Sequence, residues 1–68
     1  MRKTLRTARI DARLSVTKLS QLSGVNTRTI RRLEEGLGEP TYRTVRLLEN
    51  SLNLEAGTLT FKSRAVFL

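Results

Sequence analysis

Cysteine, histidine and tryptophan are all absent from this 68-residue sequence. Without cysteine there is no disulfide and no thiolate metal site, which fits a reducing cytosol. The six acidic residues are scattered, no glycine-rich phosphate loop is present, and no side chain has the neighbouring base that a nucleophile requires. We therefore expect no enzyme, no metal, no cofactor and no small-molecule ligand.

Long apolar runs are also missing. No stretch approaches the roughly 20 apolar residues that a membrane span requires, and the basic N-terminus has no apolar segment behind it, as a signal peptide would. No segment combines a wide apolar face with a basic opposite face and aromatic anchors. We expect a cytoplasmic protein with no membrane partner.

Negative charge is scarce in the first half of the chain. Thirteen Lys and Arg stand against six Asp and Glu, for a net charge of +7. Residues 1–32 hold nine of the basic residues and one acid, Asp11, whereas the remainder is close to neutral. Such a concentrated positive field suits a polyanion, nucleic acid before an acidic membrane surface. A soluble basic protein with no such partner is the other interpretation.

Apolar residues spaced three and four apart predict helices along most of the chain. Ser15, Asn26 and Thr41 are suitable N-caps, and Gly24 and Gly36 are suitable helix ends. The predicted helices are residues 2–12, 16–22, 27–35 and 42–52, with a short fifth helix near Glu55 that includes Leu59. The expected fold is an all-α, compact bundle of about five short helices in a single domain, with its core in residues 4–59.

The last residues, TLTFKSRAVFL, are the only stretch rich in strand-forming residues. In a strand, Phe61, Ser63, Ala65 and Phe67 would share one face. So many large apolar groups are unsuited to a free end, so we expect residues 60–68 to be buried. A strand that aids dimerisation and a last helix packed in a monomer are the two alternatives, and we favour the strand.

The second and third predicted helices form a helix-turn-helix pattern around the tight turn at Gly24. Ser20 is small enough to let the two helices cross closely. Four apolar residues are expected to point inward and fix the crossing angle, namely Leu19, Val25, Ile30 and Leu33. Ser23 does not fit, because an apolar residue is usual at its position.

Three arginines, Arg28, Arg31 and Arg32, lie around Ile30 in the third helix. If Ile30 and Leu33 face the core, the arginines lie on or beside the solvent face. Arg28 and Arg32 are one turn apart and project together. An α-helix fits the major groove of B-DNA, where arginine donates two hydrogen bonds to the O6 and N7 atoms of guanine.

The run LSVTKLSQLSGVNTRTIRRLEEG and the following PTYRTVRLLENSLNL resemble the lambdoid phage repressor and Cro helix-turn-helix proteins, the XRE family. The resemblance covers about Thr4 to Leu59. Its most specific residues are Leu19, Gly24, Val25, Ile30, Leu33, Glu34 and Gly36. It implies a repressor that binds a double-stranded DNA operator as a homodimer in a bacterial or phage-infected cell. The alternatives of the same fold are a DNA-binding antitoxin and a protein-interaction module.

The resemblance also implies roles for individual residues. The positions that match base contacts are Asn26, Thr27, Arg28 and Arg32. Ser15 and Val16 match phosphate anchors, although Val16 has only its backbone N–H to offer. Arg9 and Glu34 match an internal ion pair. Charge adds four further candidates for phosphate contact, each of which could also be simply solvated: Lys3, Arg6, Arg31 and Arg43.

Overall fold

The computed structural model describes residues 2–61, which form four helices and two short strands. In chain order the elements are β1 (Lys3–Thr4), α1 (Leu5–Asp11), α2 (Val16–Ser23), α3 (Thr27–Glu34), α4 (Tyr42–Ser51) and β2 (Leu59–Thr60). The predicted all-α class is confirmed. No helix in this part of the chain is both long and apolar enough to cross a membrane.

Side-chain caps explain where the helices begin. The Ser15 hydroxyl accepts a hydrogen bond from the Lys18 N–H at 3.0 Å, and the Thr41 hydroxyl accepts one from the Thr44 N–H at 3.1 Å. The Asn26 Oδ1 atom accepts the Arg28 N–H at 2.7 Å. Each bond satisfies a backbone donor that has no partner within the helix. All three predicted caps are confirmed.

The two ends of the described chain meet in a small parallel sheet. Lys3 pairs with Leu59 and Thr4 with Thr60, and the Lys3 N–H donates to the Thr58 carbonyl at 2.8 Å. The prediction that the first helix begins near Arg2 is therefore wrong. Strand pairing takes the backbone of residues 3–4, and Thr4 then caps a helix that begins at Leu5.

The prediction of a fifth helix from Glu55 through Leu59 is also wrong. The backbone turns left-handed at Asn53 and Gly57, with φ of 58° and 88°. The Glu49 carboxylate then accepts the N–H groups of Gly57 and Leu59 at 3.0 and 3.1 Å. Glu49 of α4 takes these two backbone donors, and the Lys3 N–H of β1 donates to the Thr58 carbonyl, so the segment does not continue as a helix and leads into β2.

One cluster of buried apolar side chains joins all four helices to β2: Leu5, Ala8, Leu19, Val25, Ile30, Leu33, Leu48, Leu52 and Leu59. Each large aliphatic member contributes roughly 1.5 to 3 kcal/mol by its burial. Phe61 is half-buried and packs at the edge of this cluster. The rest of the predicted C-terminal strand, residues 62–68, lies outside the described residues.

Candidate nucleic-acid interface

A tight turn joins α2 to α3 and sets their crossing. Gly24 adopts the left-handed conformation with φ of 78° and donates its N–H to the Ser20 carbonyl at 2.8 Å. Ser23, the residue that did not fit the pattern, is buried, and its hydroxyl accepts the Val25 N–H at 3.1 Å. A serine is therefore tolerated at this buried position because its hydroxyl satisfies a backbone N–H group of the turn.

Helix α3 has a buried and an exposed side. Ile30 is fully buried and Leu33 is 9% exposed, so both are locked in the core. The side chains of Arg28, Arg31 and Arg32 are exposed on the opposite side, and their guanidinium groups form no hydrogen bond or ion pair within residues 2–61. The packing therefore presents three free cations on a helix that cannot rotate.

Two clefts flank this exposed side. Arg31 borders the cleft toward α1, together with Arg6 and Arg9. Arg32 borders the cleft toward the loop before α4, and its guanidinium group lies beside Gly38 of that loop. The exposed side of α3 thus extends from α1 to the N-terminus of α4, with Arg28 between the two clefts by its helical position.

Asn26 and Thr27 lie at the start of α3. The Asn26 side chain is exposed, and its carbonyl oxygen is taken by the helix cap, which leaves the amide NH₂ as a donor for another group. Thr27 is half-buried at the first helical position. The structure therefore brings all four predicted base-contacting residues to one helix, two at its N-terminal end and two on its exposed side.

The predicted phosphate anchors of α2 differ from each other. Ser15 is exposed and caps the helix, whereas the Val16 side chain is half-buried against the core. Val16 therefore has only a backbone N–H for a ligand. The N–H groups of a helix's first turn, together with the helix dipole, favour an anion at this end.

The other predicted phosphate contacts are less uniform. Arg6 and Arg43 are exposed, on α1 and in the first turn of α4 respectively. Lys3 is instead held in β1, and its ammonium group pairs with the Asp11 carboxylate at 3.0 Å. A phosphate would have to compete with Asp11 for Lys3, so Arg6 and Arg43 are the more available cations.

Arg9 and Glu34 meet between α1 and α3. The Arg9 Nε and Nη2 atoms donate to the two Glu34 carboxylate oxygens at 2.6 and 3.0 Å, and Nη1 donates to the Leu14 carbonyl at 2.9 Å. The side chains are only 14% and 10% exposed. The hydrogen bond to Glu34 raises the pKa of Arg9 above its ordinary value, although burial opposes the shift. The pair fixes α3 against α1.

Glu49 is a structural residue that the sequence analysis missed. Its side chain is completely buried on α4 and also accepts a hydrogen bond from the Arg46 Nη1 atom at 3.0 Å. Burial alone would raise the pKa of Glu49, but hydrogen bonds from the Leu59 N–H, Arg46 and the Gly57 N–H hold it below its ordinary value. Glu49 lies four residues after Val45 and three before Leu52, on the apolar stripe of α4. This spacing in the sequence could have predicted that its side chain is buried.

The arrangement suits binding of a polyanion. Within residues 2–61, no group of three or more acidic, histidine or cysteine side chains is placed to hold a metal ion. The exposed arginines of α3 stand on a scaffold held by the core and by the Arg9–Glu34 pair. They can donate hydrogen bonds to phosphate oxygens or to base edges without a change of fold.

Comparison with known proteins gives a family match. The sequence model of a protein family described as helix-turn-helix matches residues 5–59. The matched range contains all four helices and the first residue of β2. No curated protein and no solved structure matches the chain significantly.

Proposed function

We propose that this chain, which belongs to the XRE-type helix-turn-helix family of DNA-binding regulators, is a sequence-specific transcriptional repressor of the Cro or phage-repressor kind. The observation that carries the proposal is the exposed side of α3, where Arg28, Arg31 and Arg32 have no acidic partner within residues 2–61. The major groove admits such a helix, and guanine offers two acceptors to one arginine.

Recognition divides between two kinds of contact. Four residues of α3 and its cap read base edges in this proposal: Asn26, Thr27, Arg28 and Arg32. The N-terminus of α2, at Ser15 and Val16, and the cations Arg6, Arg31 and Arg43 hold the phosphate backbone, with Lys3 available once it leaves Asp11. Phosphate contacts supply affinity and register, whereas base contacts supply sequence preference.

The functional unit on DNA is a homodimer in this proposal. One recognition helix reads only a few base pairs, so a pseudo-palindromic operator with half-sites about one helical turn apart supplies the remaining specificity. Residues 1–68 act as one DNA-binding domain, and the apolar C-terminal residues contribute to the dimer contact. The protein acts in the cytoplasm, on the nucleoid of a bacterial or phage-infected cell.

Selection of bound sequences from a random duplex pool tests this proposal. We expect a palindromic consensus with guanines at the positions that Arg28 and Arg32 reach. Affinity for the selected duplex should fall steeply as salt rises, because each phosphate contact releases a counterion. A pool that shows no enrichment, or a flat plot of log affinity against log salt, would contradict the proposal.

A further inference from the structure

An acidic side chain, Glu35, lies on the same side of α3 as the three arginines. Glu35 is the C-cap residue and keeps helical dihedral angles, with φ of −86° and ψ of −1°. It follows Arg28 by seven residues, which is close to two full turns at 3.6 residues per turn. Arg31 and Arg32 precede it by four and three residues, so Glu35 completes a row of exposed charged groups.

The fold does not explain this carboxylate. Asp11, Glu34 and Glu49 each pair with a basic side chain, whereas the side chain of Glu35 forms no hydrogen bond or ion pair within residues 2–61. A negative charge at the C-terminal end of a helix is also unfavourable, since the helix dipole places partial negative charge there. Arg31 and Arg32 stand at helical ion-pair spacing, but the basic residue before the acidic one is the weaker order, so helix stability gives little reason for an acid at position 35.

Glu35 borders the cleft between α1 and α3. The other charged residues of that cleft are Arg6, Arg9, Arg31 and Glu34. Arg9 and Glu34 neutralise each other through their ion pair. Arg6 and Arg31 therefore remain as the cations that would attract a phosphate, and Glu35 is the carboxylate that the phosphate would approach.

We propose that Glu35 is a specificity-determining residue that weakens non-specific DNA binding by repelling phosphates from the cleft between Arg6 and Arg31. The inference rests on the proposed function. In non-specific binding almost all the attraction is to phosphates, so the repulsion of one phosphate removes a large share of the binding free energy. In the operator complex the arginines of α3 also form hydrogen bonds to base edges, so the same repulsion removes a smaller share of the total binding free energy.

A weaker non-specific interaction is useful because specificity is a difference between two affinities. A regulator competes with a large excess of non-operator sites, so the ratio of the two affinities decides how much operator is occupied. Glu35 raises that ratio without any contact to a base.

Binding measurements on Glu35→Gln test the inference, with Glu55→Gln as a matched control. Glu55 is an exposed acid in the turn between α4 and β2, so the control removes the same charge away from α3. The probes are a 20-base-pair mixed-sequence duplex and the duplex that the parent chain selects from a random pool. Thermal melts establish that both variants are folded, and Glu35→Gln should melt no lower than the parent.

We expect Glu35→Gln to bind the mixed-sequence duplex about two- to fivefold more tightly at low salt. This is the size expected when one repulsion between two exposed charges, Glu35 and a phosphate, is removed. Affinity for the selected duplex should change less, so the ratio of the two affinities falls. The gain should shrink as salt rises. Glu55→Gln should show only the smaller change that the lower negative charge of the whole chain causes.

Two results would overturn the inference. One is an equal change in both variants, and the other is weaker binding of the selected duplex by Glu35→Gln with a loss confined to one base pair, which would make Glu35 a base reader. Failure of the proposed function is distinguishable from both. In that case the parent chain itself would bind no duplex or would select no consensus, and a parent with no consensus still permits the comparison on the mixed-sequence duplex.

Discussion

Arg9 of α1 and Glu34 of α3 form a two-bond ion pair at 2.6 and 3.0 Å, and the same guanidinium holds the Leu14 carbonyl just before α2. One side chain thus ties α3 to α1 and to the residues just before α2. The exposed side of α3 keeps its direction because this pair and the buried Ile30 and Leu33 act together.

Removal of one member of the Arg9–Glu34 pair should destabilise the domain. We expect Arg9→Met or Glu34→Leu to lower the free energy of unfolding by about 3 to 5 kcal/mol, because the remaining charge stays largely buried without a partner. The double substitution should cost clearly less than the sum of the two. Chemical denaturation of the four proteins measures this, and neutral single substitutions would mean that the pair contributes nothing to stability.

Glu49 should make stability depend on pH in the acid range. Its pKa is lowered in the folded protein, so its contribution is fully present above its ordinary pKa of 4.5. The contribution is lost as the pH falls through the lower folded value, where the carboxylate is protonated. Glu49→Gln should therefore cost about 1 to 3 kcal/mol at pH 7, from weakened hydrogen bonds to a charged group, and progressively less as the pH falls below 4.5.

Thermal melts of the parent chain and Glu49→Gln between pH 3 and pH 7 check this expectation. Glu55→Gln is the control, since it makes the same substitution at an exposed site. A constant gap between the parent and Glu49→Gln at every pH would show that protonation of Glu49 does not drive the loss.

The arginines of α3 should separate into base readers and a phosphate contact. Arg28→Ala and Arg32→Ala should each cost about 1 to 3 kcal/mol on the selected duplex and relax the preference at one base pair. Arg31→Ala should instead weaken binding to all sequences about equally and reduce the salt slope by about one. Competition assays over all single-base variants distinguish the two patterns, and uniform losses for all three would leave no base reader among them.

Deletion of residues 62–68 should weaken dimerisation and operator affinity while the helices stay folded. The deletion point follows Phe61 because Thr60 belongs to β2 and Phe61 packs against the core. Circular dichroism reports helix content, and sedimentation equilibrium reports association of the full and shortened chains. An intact chain that stays monomeric at millimolar concentration would rule out this dimer contact for the free protein.

The helices and the candidate site could be predicted because their signals are local. Ser15, Asn26 and Thr41 cap helices through hydrogen bonds two or three residues away. The exposure of Arg28, Arg31 and Arg32 follows from the burial of Ile30 and Leu33 on the same helix. Neighbouring residues alone determine both features, so spacing and residue type were sufficient for them.

Only the tertiary structure decided the features that join distant parts of the chain. The pairing of Lys3 with Leu59 replaced the first residues of the predicted first helix and the end of the predicted fifth helix, because strand hydrogen bonds form between segments that no local pattern connects. Glu49 is buried because the backbone N–H groups of Gly57 and Leu59 come to it. Likewise, packing against α1 and the loop before α4 placed Arg31 and Arg32 beside different clefts, and helical spacing alone contains no information about those neighbours.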